Sequence, residues 1–113
     1  MNNNVNETDY GYEIIWADND QHCGKILIFE KINSKMPLHF HKNKSKSWFV
    51  NAGKFKVQWV DTADGKVYAQ ELQEGGYFHV PALMPVMLEG LAANSAMAEA
   101  SNSNDINDYF RLN

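Results

Sequence analysis

The chain has 113 residues, 44% of them hydrophobic, and a formal net charge of −4, which suits one domain with a modest core. The acidic balance argues against nucleic acid, and the lysines at 42, 44 and 46 form too short a cluster to change that. A single cysteine, Cys23, excludes an intrachain disulfide; with a polar, Asn-rich start and no apolar run near ~18 residues, the expectation is a soluble cytoplasmic protein with no membrane partner.

Residues 1–9 are polar and read as a flexible N-terminal segment, leaving 10–113 as the folded domain. Tyr12 to Ala17 is apolar and β-prone, and Asp18-Asn19-Asp20 reads as a turn. Lys25 to Ile32 is a strand in which Ile26, Leu27, Ile28 and Phe29 are apolar on both faces. A strand of that kind is buried on both sides. One side of it predicts a subunit contact and hence a homodimer.

Asn33-Ser34-Lys35 turns into Pro37-Leu38-His39-Phe40-His41, which reads as another strand. Side chains alternate across a strand, so His39 and His41 share a face and can converge on one point. His-x-His on a strand is half of a metal site. Lys42 to Lys46 is a charged loop, Trp48-Phe49-Val50 a strand and Asn51-Ala52-Gly53 a turn. Phe55, Val57 and Trp59 alternate with Lys54, Lys56 and Gln58, the pattern of a half-buried strand. Asp64-Gly65 predicts a hairpin into Val67 to Leu72. Gly75-Gly76 precedes Tyr77 to Val80, and Pro81 and Pro85 bracket a bend. Met87 to Leu91 and Ala96 to Ala100 are weaker strands; Asn104 to Leu112 is either a short helical turn or an edge segment. About eight to ten short strands with no long helix predict an all-β sandwich or barrel.

On these residues the chain resembles the cupins, small jelly-roll β-barrels (double-stranded β-helices). Their first motif runs Gly, His-x-His, a Glu five residues after the second His, and a Gly seven beyond that. His39-Phe40-His41 and Gly53 fit; Lys46 stands at the Glu, and Asn33-Ser34 replaces the opening Gly. The second motif runs Gly, five residues, Pro-x-Gly, two residues, His. Gly75 and Pro81 fit, Leu83 replaces the Gly, and Val86 replaces the His. Tyr10-Gly11-Tyr12-Glu13, Lys25, Trp48-Phe49-Val50, Val80-Pro81 and the Asp105-Ile106 segment followed by Arg111 resemble the mannose-6-phosphate isomerase-type sugar cupins.

The resemblance implies a cup that holds a sugar-like small molecule, with His39, His41, Lys46, Val86 and Trp48 as ligand-contacting positions. His39 and His41 are the metal candidates. Without a carboxylate they would hold a divalent transition metal (Zn, Ni, Mn or Fe) only weakly. Two readings of Lys46 follow. In one, its ammonium takes over the electrostatic role of the ion. In the favoured one, its stem snorkels to the rim and the ammonium stays in water. Val86, with Leu83, Met84 and Met87, makes one wall apolar. Parity points His79 away from the barrel interior. Glu30, Glu71, Glu89 and Glu99 are the strand carboxylates, each expected on the solvated surface. Cys23 reads as a buried thiol without a catalytic partner.

The functional expectation is a small cupin that binds or acts on a sugar or sugar phosphate without a complete catalytic metal site. The alternative is an active metal-dependent sugar-phosphate isomerase or epimerase. If the protein is an enzyme, that is the reaction the resemblance implies; no catalytic residue is identified.

Overall fold

A computed structural model describes residues 4–113. Among these the chain forms eleven strands: β1 (Val5–Thr8), β2 (Gly11–Asp18), β3 (Cys23–Phe29), β4 (Lys35–Phe40), β5 (Lys46–Ala52), β6 (Lys54–Val60), β7 (Val67–Gln73), β8 (Tyr77–Val80), β9 (Val86–Gly90), β10 (Ser95–Ser101) and β11 (Phe110–Arg111). They make two antiparallel sheets, ordered β1-β2-β3-β10-β5-β8 and β11-β4-β9-β6-β7. The fold is the all-β architecture that the strand pattern predicts, in the jelly-roll form that the cupin resemblance implies.

Two segments differ from expectation, and a third settles between the two alternatives the sequence leaves open. Val5–Thr8 is not frayed but pairs with β2, Val5 opposite Ile14; the rest of the predicted N-terminal tail, 1–3, lies outside the described residues. The C-terminal stretch is an edge strand, with Phe110 opposite Phe40 and Arg111 opposite His39. Strand 26–29 is buried only in part: Leu27 and Phe29 are inside, while Ile26 and Ile28 stay half-buried on the outer face. A single barrel covers only its inner face.

The strands divide into a dry end and a polar end. Phe29, Val50, Phe55, Val57, Leu72, Val86, Leu88 and Met97 belong to one apolar cluster, in which Phe29 stacks on Tyr10 at 4.1 Å and meets Phe55 edge-on at 5.1 Å. Further along three of these strands the inward residues turn polar: Lys25 on β3, Lys46 on β5 and Glu99 on β10.

Turn chemistry fixes the registers. Gly53 has φ +81, and a Cβ there would lie 2.2 Å from Ser95 Oγ. Only glycine fits both demands. The two motif glycines that the sequence lacks are replaced without loss of the turn. Asn33 adopts φ 68 and Leu83 adopts φ 73. Asn tolerates the left-handed region, whereas Leu carries strain of roughly 1–2 kcal/mol there. The Leu83 turn remains useful, because its amide donates to the His41 carbonyl at 2.7 Å.

Candidate functional site

His39 and His41 share a face as alternation requires. Their rings lie 5.2 Å apart, and Tyr109 packs on His39 at 5.1 Å. Each ring is oriented by a backbone carbonyl. His39 Nδ1 donates to Pro37 O at 2.7 Å, and His41 Nδ1 donates to Asp108 O at 2.5 Å. A carbonyl only accepts, so Nδ1 carries the proton and each Nε2 is left with a bare lone pair. Burial first, and then the Lys46 charge, push His39 down to about 3 and His41 down to about 4. Both rings are therefore neutral at physiological pH.

The two lone pairs converge on Lys46. Its Nζ donates to His39 Nε2 at 2.8 Å and to His41 Nε2 at 3.2 Å. The snorkelling expectation is wrong: Lys46 is 3% exposed. The physical reason is parity together with a ready set of acceptors. Lys46, Trp48 and Val50 alternate inward along β5, and two imidazoles plus the Trp48 face, 4.9 Å away, replace much of the lost hydration. Burial still lowers the Lys46 ammonium to about 8, with Glu99 acting in the opposite sense.

Glu99 is the second correction. It was expected in solvent and is 4% exposed. Register explains why: Glu99 lies opposite Lys25 on β3 and opposite Trp48 on β5. Trp48 Nε1 donates to it at 2.9 Å, and Lys44 Nζ lies at 3.3 Å. Burial alone would raise its pKa, but Lys46, Lys44 and Trp48 override that and hold it at about 2. Glu30 and Glu71 are exposed and Glu89 is half-buried.

Lys44 and Asp108 are site residues that the sequence reading missed. Lys44 is 6% exposed inside a stretch that reads as a charged loop. Asp108 anchors the C-terminal segment, accepting from the amides of Lys42, Asn43 and Lys44 at 2.7, 3.0 and 3.0 Å. Burial opposes its ionisation, yet those three amides keep its pKa lowered. The only sequence signal for this arrangement was the segment around Asp105-Ile106.

His39, His41, Lys44, Lys46 and Glu99 floor a cavity of about 460 Å³, with Tyr10, Glu13 and Lys25 on its wall and Asn104, Asp105, Ile106 and Arg111 from the C-terminal segment. Lys25 pairs with Glu13 at 3.6 Å. Lys25, Lys44, Lys46 and Arg111 share the lining with Asp9, Glu13, Glu99 and Asp105, so its formal charges balance. Lys25 is paired with Glu13 and Lys44 with Glu99, whereas no carboxylate of the described residues lies within ion-pair distance of Lys46. Val86 and Trp48 do not line the cavity. Val86 is fully buried in the apolar cluster beside His39, and Trp48 lies under Lys46 and Glu99. Met84 packs against the cluster and Leu83 is exposed. His79 is exposed and shares a hydrogen bond with Ser47 Oγ at 3.2 Å. Cys23 is buried and free.

A sandwich with a histidine-lined cup at one end defines a class of β-barrel proteins. The chain belongs to the cupin family, whose model matches residues 5–109. No curated protein matches it. Among solved structures it is similar to the capsular polysaccharide assembling protein CapF from Staphylococcus aureus, with TM-score 0.84, 18% identity, and coverage of 96% of this chain and 33% of that one. It is also similar to oxalate decarboxylase from Bacillus subtilis, with TM-score 0.84, 16% identity, and coverage of 96% of this chain and 29% of that one. The chain therefore spans about a third of the length of these neighbours, and at this identity the likeness speaks to fold.

The donor set does not fit the family's metal ion. Among the described residues no group of three or more His, Cys, Asp and Glu converges. The point where the two Nε2 atoms meet is taken by an ammonium, which repels a divalent cation. No helix among the described residues is long and apolar enough to cross a membrane.

Proposed function

We propose that this cupin binds a hydroxyl-rich anionic small molecule, a sugar phosphate or sugar acid, with the Lys46 ammonium in the role that a metal ion plays in other cups. The observation that supports this reading most is the position of Lys46 Nζ between the two imidazoles on the cavity floor. The Lys46 ammonium favours an anionic group, because it is buried with no carboxylate of the described residues within ion-pair distance, and a bound anion offsets the cost of that burial. The mixed lining offers polar partners to hydroxyls and apolar edges to a sugar ring. The fold neighbour CapF, a capsular polysaccharide assembling protein, is consistent with a sugar context. A metal-dependent isomerase of the mannose-6-phosphate isomerase type would need the ion to displace Lys46 first.

Calorimetric titration tests the reading. Sugar phosphates should bind, the parent sugars should bind more weakly, and Lys46→Met should weaken the phosphate ester by about tenfold or more, ~1.4 kcal/mol. Equal affinity of wild type and variant would overturn the role given to Lys46. Near-stoichiometric Mn or Fe in the purified protein would favour the isomerase instead.

A further inference from the structure

The lysine in this cup is set up for more than charge. Beyond its bond to Cε, the Lys46 nitrogen has three directions to fill. Two point at the Nε2 atoms of His39 and His41, which can only accept, since their Nδ1 protons are committed to backbone carbonyls. No hydrogen bond among the described residues fills the third direction, the Trp48 face lying 4.9 Å from the nitrogen, and Lys46 lines the cavity. In the ammonium form that direction holds an N–H for a ligand oxygen. In the amine form it holds the nitrogen lone pair. The other two buried lysines are committed differently, Lys25 to Glu13 and Lys44 to Glu99, while no carboxylate of the described residues lies within ion-pair distance of Lys46. A desolvated lysine in such a pocket is a nucleophile towards carbonyl carbon.

We infer that Lys46 forms an imine with the aldehyde or ketone carbon of an anionic carbonyl compound such as an open-chain sugar phosphate. This rests on the reading of the cup as a site for anionic, hydroxyl-rich ligands and adds the functional group that must be present. The lone pair adds to the carbonyl carbon, the C–N bond forms, and the C=O π pair moves to oxygen. One nitrogen proton passes to an imidazole Nε2 and on to that oxygen, giving a neutral carbinolamine. The second nitrogen proton follows the same route as the oxygen departs as water and C=N forms. Amine plus carbonyl gives imine plus water, with no oxidant or reductant consumed. Water reverses the step, so capture is reversible.

The test is reductive trapping in the intact protein. Glyceraldehyde 3-phosphate is added with cyanoborohydride and the modified lysines are mapped by peptide mass spectrometry. Lys46 should be modified about tenfold faster than exposed Lys54, as expected of an activated amine. Modification of Lys54 with Lys46 untouched or slower overturns the inference, with no variant required. Thermal stabilisation by mannitol 1-phosphate, which has no carbonyl group, reads non-covalent binding separately. Stabilisation without a Lys46 adduct rejects the imine and leaves the binding reading in place. A Lys46 adduct without stabilisation supports the imine and rejects the anion-binding reading. Absence of both removes the two together.

Discussion

At the scale of single residues, the site is governed by how its buried charges are paired. Glu99 is the counter-charge nearest the floor, bonded to Lys44 and Trp48. Glu99→Gln keeps the shape and an acceptor for Trp48 but removes the charge that three buried lysines rely on. Breaking a buried ionic network on one side costs about 3–5 kcal/mol. The variant should unfold in correspondingly less urea, and an unchanged midpoint would mean that Lys44 escapes to solvent. The buried bases make a second prediction. His39 and His41 titrate at about 3 and about 4 in the folded protein, below their ordinary 6.5. The unfolded chain then binds more protons between those values, so stability is complete above pH 6.5 and is lost as pH falls through 4 towards 3. Lys46, lowered to about 8 from 10.5, has the same sign at the other end. Its contribution rises from pH 8 to pH 10.5. Urea midpoints measured across pH should show both slopes, and Lys46→Met should abolish the alkaline one.

Elements carry the question of association. The outer face of the six-stranded sheet shows half-buried Ile26 and Ile28, with Phe49 at 49% and Tyr77 at 79% exposure. Register places Ala96 opposite Ile28 and Ala98 opposite Ile26, and the small alanine side chains leave that face flat. A flat apolar sheet face is the kind that a second copy of the chain can cover by two-fold symmetry. Sedimentation at micromolar concentration should show a dimer, and Ile28→Asp should shift it to monomer with little change in the melting of the barrel. A wild-type monomer would leave this face wet and end the argument.

For the whole molecule, the test is whether the cup remains a cupin cup with altered chemistry. Val86 lies opposite His39 in the β4–β9 register, and Lys46 Nζ sits where the two imidazoles converge. Lys46→Glu with Val86→His should therefore create a three-His, one-carboxylate set for Zn or Mn. An imidazole in place of a fully buried isopropyl group overpacks the core by about 1–3 kcal/mol, so the apo variant should melt below wild type. Added metal should restore stability by mass action, and wild type should respond far less. A folded double variant whose melting point ignores both metals would show that the four positions do not converge.

The sequence by itself determined an all-β sandwich or barrel, its turns and the convergence of His39 and His41, because period-two alternation and turn chemistry are local properties of the chain. The jelly-roll form came from the resemblance of its motifs to the cupins. Asn33 and Leu83 could stand for glycines since only the backbone conformation was required of them. Tertiary structure alone decided the character of the site. Whether Lys46 snorkels or turns inward depends on acceptors supplied by β4, and whether Glu99 is wet or buried depends on Lys25, Lys44 and Trp48 meeting it from other segments. Glu99 stands between Ala98 and Ala100, so its neighbours do not reveal which side of β10 faces inward. Burial of a charge is a balance between desolvation and partners, and those partners come from distant segments that only the folded barrel brings together.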